Sequence, residues 1–337
     1  MTIVAFSIGF STAFFAIFAI HILFYRRERT RFQSVVGTIM AVWALLCLKD
    51  IVFTFPGMYK ASVLQWVMMI DGWSALTYAI FIFETTMPNW LSWRRFLLLS
   101  LPFFAFTIAY ALWPVKAVTT AYAVFLWFFA WGIVAVGYSK ARQQIRLVRQ
   151  NFSNIDQIDV SWLTPVFLFA IVTQLAWLFV SLYDTWLTDV LYYVMSIALW
   201  LLMLRYSWNF HPIEMPQTEE VQTRQPVREY AFAGLLEQTM EEQQLYLDSD
   251  LTLADLARAI SSNRTYVSAY LQQVKGLTFY DYVNQLRIEK KSIPLMQQHP
   301  EYTLEHVAHE SGFRSLNTFR RAFVKLTGNN PSQFGKQ

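Results

Sequence analysis

The sequence contains one cysteine, Cys47, so no intrachain disulfide can form and cysteine usage leaves the redox compartment open. Charge is also scarce. Lys, Arg, Asp and Glu make up 15% of the chain, against about 25% in ordinary soluble domains. That deficit excludes a molecule whose whole surface faces water. Metal ligands are few: of five histidines, His306 and His309 lie three apart with no Cys or further His beside them. A zinc site needs four ligands, or three and a water, so these two read as an exposed pair, and no metal or other cofactor is expected. The first half lacks a Gly-rich phosphate loop and a nucleophile motif, and without an acid–base constellation the chain does not read as an enzyme. Met1 to Ser7 carries no basic residue, and the apolar run that follows to Phe24 is too long for the core of a cleavable signal. It reads as a retained helix.

What the chain has in abundance is apolar surface: 55% hydrophobic and 18% aromatic residues, placed unevenly. A helix needs roughly 20 apolar residues to cross about 30 Å of hydrocarbon. Seven runs meet that description, at 3–24, 34–55, 62–83, 96–113, 117–138, 162–183 and 188–206. Lys and Arg near span ends stay in the cytoplasm. The odd-numbered loops hold Arg26, Arg27, Arg29, Arg31, Arg94, Arg95, Lys140, Arg142, Arg146 and Arg149, while the even-numbered loops hold only Lys60 and Lys116. The ten-to-two bias predicts an inner-membrane, multi-pass domain over 1–206, its N-terminus outside and residue 207 onward in the cytoplasm. Trp and Tyr near span ends, among them Trp90, Trp93, Trp113 and Trp208, fit an interfacial aromatic belt.

Ionisable residues inside spans are costly and default to functional candidates. Lys49 and Asp50 lie toward the outer end of the second run and Asp71 in the outer half of the third, so the three can share one layer. They read either as a ligand pocket open to the outside or as an interhelical ion pair. Glu84 reads as a span end, and Gln174 as interhelical glue.

Composition breaks after Tyr206. Pro212, Pro216 and Pro226 among Gln, Thr and Glu predict a flexible tether over 207–230. The remainder, 231–337, reads as amphipathic helices. Phe232, Leu235, Leu236, Met240 and Leu245 form the stripe of an opening helix. Thr252 caps the next helix, whose buried face is Leu253, Leu256, Ala257 and Ile260. A turn at Ser261-Ser262-Asn263 leads to a helix from Arg264 to about Lys275, stopping at Gly276. A long helix follows over about 278–298, and its interior Pro294, a residue costing about 3 kcal/mol in that setting, predicts a kink or an end near Ile293. The pattern then repeats: Thr303 caps a helix to Ser311, Gly312-Phe313 turns, and Ser315 caps a final helix ending at Gly328. The fold class is all-α, a seven-helix transmembrane bundle followed by two helix-turn-helix units.

Over roughly 250–335 the register of Leu253-x-x-Leu256-Ala257, Tyr266-Val267-x-x-x-Leu271, Gly276-Leu277-Thr278-Phe279, Tyr282-x-x-x-Leu286-Arg287-Ile288-Glu289, Val307-Ala308-x-x-x-Gly312-Phe313 and Thr318-Phe319-x-Arg321-x-Phe323-x-x-x-x-Gly328-x-x-Pro331-Ser332-x-Phe334 resembles the DNA-binding domain of AraC/XylS-family transcription regulators. The resemblance implies that the second helix of each unit enters a major groove of double-stranded DNA. It places Thr265, Ser268, Ala269 and Gln272 at base-facing positions of the first reader helix, and Leu316, Asn317, Arg320 and Arg321 at those of the second, whose cap is Ser315. Arg321 is the leading base contact, since Arg pairs bidentately with guanine. Arg264, Arg314 and Lys325 suit phosphates, which position without specifying. Residues 231–250 hold five acids and no base; residues 251–337 hold eleven bases and six acids, so the reader region is basic as phosphate binding requires.

The implied whole is a one-component regulator whose spans sense a signal and control the cytoplasmic reader, with RNA polymerase as a partner and a homodimer left open. Two other readings keep the reader: spans that anchor to a partner membrane protein, and spans that form a transporter-like module. Neutralising Lys49, Asp50 and Asp71 separates them.

Overall fold

The computed structural model describes residues 2–26, 29–55, 57–58, 60–156, 158–182, 186–208, 210 and 230–334, with the side chains of 2, 61, 173–182, 186 and 188–189 left aside. Most of the expected tether, from 211 to 229, the Arg27 position and the Gln174 side chain therefore lie outside the described residues, while Ser207, expected in the tether, ends a helix. The fold is all-α. Among the described residues the one extended pairing is an isolated antiparallel bridge between Phe152 and Thr252. The chain forms two compact units, one of 1–142 with 160–214, the other of 143–159 with 215–337.

The first unit contains α1 (Thr2–Ile20), α2 (Arg31–Lys49), α3 (Ala61–Asp71), α4 (Ser74–Thr86), α5 (Trp93–Leu112), most of α6 (Lys116–Asn151), α7 (Leu163–Leu182) and α8 (Trp186–Ser207). Among the described residues, six helical segments are long and apolar enough to cross a membrane. Over the sixth apolar run, α7 is a helix of 20 residues. α1 packs along α2, and α8 against both α1 and α7. The centre is aromatic: Phe15 lies 5.3 Å from Trp43, and Trp200 lies 5.9 Å from Trp43 and stacks on Tyr78 at 5.3 Å. The outside is apolar as well, with Phe6, Phe24, Leu98 and Phe128 each more than 65% exposed. A soluble protein rarely shows apolar surface on this scale.

Two features depart from the sequence reading. The third apolar run is two helices: α3 ends at Asp71 and α4 starts at Ser74. Gly72 sits at the break because Tyr122 presses on it, and an added Cβ would lie 2.2 Å from the Tyr122 hydroxyl. The fifth run does not end near 138. α6 continues for 36 residues to Asn151, so Lys140, Arg142, Arg146 and Arg149 lie on helix rather than in a loop. Glu84 lies in the last turn of α4, at a span end as expected, and is buried there. It is 1% exposed, accepts the Leu91 backbone N–H at 2.8 Å and lies 3.7 Å from Arg31.

The second unit contains α9 (Ala233–Glu242), α10 (Leu253–Ala259), α11 (Arg264–Gln273), α12 (Phe279–Leu286), α13 (Ile293–Gln298), α14 (Leu304–Glu310), α15 (Leu316–Thr327) and α16 (Pro331–Phe334). It has two cores. One gathers Leu236, Met240, Leu256, Val267, Leu271 and Val283, and the other Ile288, Val307, Ala308, Phe319 and Phe323. Burying a side chain of that size contributes about 1.5–3 kcal/mol. Leu235, expected on the buried stripe, is 46% exposed. The linking helix is broken earlier than its proline. Residues Arg287–Ser292 form a turn of π-helix, with the Ile293 N–H bonded to the Ile288 carbonyl, and Pro294 falls in the first turn of α13. A first-turn proline lacks only an N–H that needs no intrahelical partner, and the break expected near Ile293 takes the form of a π turn that ends at Ser292.

Candidate nucleic-acid interface

Each reader helix is started by a side-chain cap. In the first unit the Thr252 hydroxyl accepts the Asp255 N–H at 3.2 Å and the Asp255 carboxylate accepts the Thr252 N–H at 3.2 Å, a reciprocal capping box. The hydrogen bond from the Thr252 hydroxyl, more than the nearby Arg258, holds the Asp255 carboxyl below the usual carboxylate range. Asn263 caps α11, its side-chain oxygen accepting the Tyr266 N–H at 2.9 Å. In the second unit Thr303 caps α14 through the His306 N–H at 3.2 Å, and Ser315 caps α15 through the Thr318 N–H at 3.3 Å. Between them Gly312 adopts φ +82, and a Cβ there would lie 2.6 Å from the Leu247 carbonyl oxygen. Conformation and close approach both require glycine.

The predicted readers divide by exposure. On α11, Thr265 and Gln272 are exposed and Ser268 and Ala269 half-buried. The Gln272 amide donates to the Ser268 hydroxyl at 3.0 Å. Arg264 is exposed beside them, as is Tyr266 at 43%, an aromatic that the sequence reading did not assign to the surface. On α15, Asn317, Arg320 and Arg321 are exposed, whereas Leu316 is half-buried and packs against the second core. Three of the basic candidates are already paired: Arg314 with Asp250, Lys325 with Asp281 at 2.7 Å, and Arg321 with Asp156 at 3.7 Å. No ion pair holds Arg264 or Arg320 among the described residues.

The helix-turn-helix domain family matches residues 256–337. Residues 256–337 are an AraC-type helix-turn-helix domain. Curated relatives align with the same region. An uncharacterized HTH-type transcriptional regulator of Staphylococcus aureus is 26% identical over 91 residues, covering 27% of this chain and 12% of that protein. The Msm operon regulatory protein of Streptococcus mutans is 25% identical over 89 residues, 26% of this chain and 31% of its own. The HTH-type transcriptional regulator YtdP of Bacillus subtilis is 27% identical over 90 residues, 27% and 11%. The chain thus spans a third or less of the length of these relatives. No solved structure matches it.

The AraC-type domain contains a buried cation that sequence reasoning passed over. Arg287 is 1% exposed. Its guanidinium donates to the Tyr246 carbonyl at 2.6 Å, the Asp248 carbonyl at 2.8 Å, the Ser153 carbonyl at 3.2 Å and the Asn284 side-chain oxygen at 3.2 Å. It lies 5.4 Å from the Phe313 ring. Burial pushes it down to about 10. In the sequence Arg287 stands as one motif residue among many.

In the first unit the structure brings Lys49, Asp50 and Asp71 together. The Lys49 ammonium contacts both carboxylates, Asp71 at 2.7 Å, and the Tyr193 hydroxyl donates to Asp50 at 2.7 Å. Asp50 and Asp71 line a cavity of about 560 Å³ with Trp43, Tyr78, Trp131 and Tyr192.

Proposed function

We propose that the chain is a sequence-specific DNA-binding transcription regulator held in a membrane, with its apolar spans serving as the sensor. The observation that carries this is the AraC-type domain, with exposed Asn317 and Arg320 on a capped reader helix, in a chain whose other unit presents a surface of exposed Phe and Leu. Arg and Asn are the side chains that pair bidentately with guanine and adenine. The ten-to-two distribution of basic residues supports placing the reader in the cytoplasm, and RNA polymerase is the partner such a regulator acts on.

The sensing site in this reading is the cavity beside Lys49, Asp50 and Asp71. One ammonium, that of Lys49, faces the two carboxylates of Asp50 and Asp71, a formal excess of one negative charge. Aromatic faces attract cations, and intramembrane ionisable residues default to function. A small organic cation fits this lining.

The reader assignment is tested by chromatin immunoprecipitation of the full chain and of Arg320→Ala. Losing one bidentate contact costs about 1–3 kcal/mol of discrimination, so the variant should keep fewer sites and relax the bound motif at one position. Identical genomic footprints would remove Arg320 from the reading surface.

A further inference from the structure

Asp156, in the stretch between α6 and α7, belongs to the same compact unit as the AraC-type domain. Its carboxylate sits at the N-terminus of α15. One oxygen accepts the Ser315 hydroxyl at 2.8 Å, the other accepts the Thr318 hydroxyl, and Arg321 lies 3.7 Å away. Two hydroxyl donors, a guanidinium and a helix N-terminus form the environment that holds a phosphate. Ser315 and Arg321 belong to the reader helix expected to meet DNA.

We propose that residues 152–156 occupy a DNA-backbone site on the second reader unit, with Asp156 in place of a phosphate, so that duplex DNA and this segment compete for α15. The segment is built to stay. Ser153 is fully buried; its N–H donates to the Leu251 carbonyl at 3.2 Å and its hydroxyl to the same oxygen at 2.7 Å. Arg287 holds the Ser153 carbonyl and hydroxyl. Phe152 bridges to Thr252, the cap of α10, and Ile155 is buried. The segment thus touches both helix-turn-helix units. In the chain it follows α6 and precedes α7. The occupied site also accounts for why Arg321, the leading base contact by sequence, is paired to a carboxylate instead of free.

The test uses the full chain in lipid nanodiscs with a random-sequence duplex library. Asp156→Asn keeps the side-chain shape and removes the competing charge, so binding should tighten by about tenfold, the loss of one charge-assisted contact. If Asp156 serves only to hold α15 in place, the same variant binds more weakly or equally, and the proposal is overturned. Hydrogen exchange on the unaltered protein gives an independent reading. Adding duplex should speed exchange at the Ser153 amide, whose partner is the Leu251 carbonyl, and unchanged protection at saturating DNA would also overturn it.

Discussion

Arg287 shows how much a single buried side chain can decide. Three backbone carbonyls from two distant segments, those of Tyr246 and Asp248 in one and Ser153 in the other, point at one guanidinium. Only a planar fork of five N–H donors can serve them at once, and no carboxylate is needed because the carbonyl dipoles converge. Removing it leaves buried acceptors without donors. We expect Arg287→Ala to destabilise the second unit by about 3–5 kcal/mol, read as a lower urea midpoint by proteolysis of sites in α10–α15. Arg287→Lys should recover little of this, because a point ammonium cannot span the three oxygens; recovery to wild type would show that charge alone matters. Sequence reading found the caps Thr252, Thr303 and Ser315 because a cap is a local pattern. It missed Asp156 and Arg287 because their partners are distant in the chain: 159 residues separate Asp156 from Ser315 and 134 separate Ser153 from Arg287, and nothing in the intervening pattern encodes the meeting.

At the level of elements, the helices of the AraC-type domain were legible from amphipathic spacing and capping residues, and their starts match the structure at Leu253, Arg264, Leu304 and Leu316. Apolar runs were less informative about breaks. Hydrophobic content does not distinguish one helix from two, so the interruption at Gly72 was hidden, and the polar stretch after Tyr138 gave no sign that α6 continues. The π turn at Arg287–Ser292 was equally invisible, since its backbone angles lie close to those of an α-helix; what could be read was Pro294 and the need for some accommodation. That accommodation has a measurable consequence. A proline inside a regular helix costs about 3 kcal/mol, and its removal would stabilise by that amount. In the first turn of α13 the cost is already avoided, so Pro294→Ala should change stability by less than about 1 kcal/mol. A gain near the larger figure, measured by urea denaturation of the full chain, would mean that the π turn does not relieve the proline.

For the whole molecule, the two units differ in the solvent they suit. One exposes aromatic and aliphatic side chains and contains the triad of Lys49, Asp50 and Asp71; the other contains the reader region 251–337, which is basic and capped for groove reading. A regulator needs a ligand whose affinity differs between two states of the protein, and linkage makes the effect reciprocal: whatever ligand binding does to DNA affinity, DNA binding does to ligand affinity. The cavity's composition sets the choice of probe. Choline carries one positive charge, while its uncharged tert-butyl isostere has nearly the same shape, so a difference between them isolates charge. Asp71, whose side chain is 34% exposed at the cavity, is the carboxylate positioned to receive the cation, and Asp50 is already held by Tyr193. We expect the full chain in nanodiscs to bind choline more tightly than the isostere, Asp71→Asn to abolish the difference, and saturating choline to shift duplex affinity by about 5–150-fold, the range of ordinary coupling energies. Equal binding of the two probes would show that the triad is a structural ion pair. Choline binding with no shift in duplex affinity would keep the cavity as a ligand site and remove its role as the sensor, which would favour the transporter-like reading of the spans.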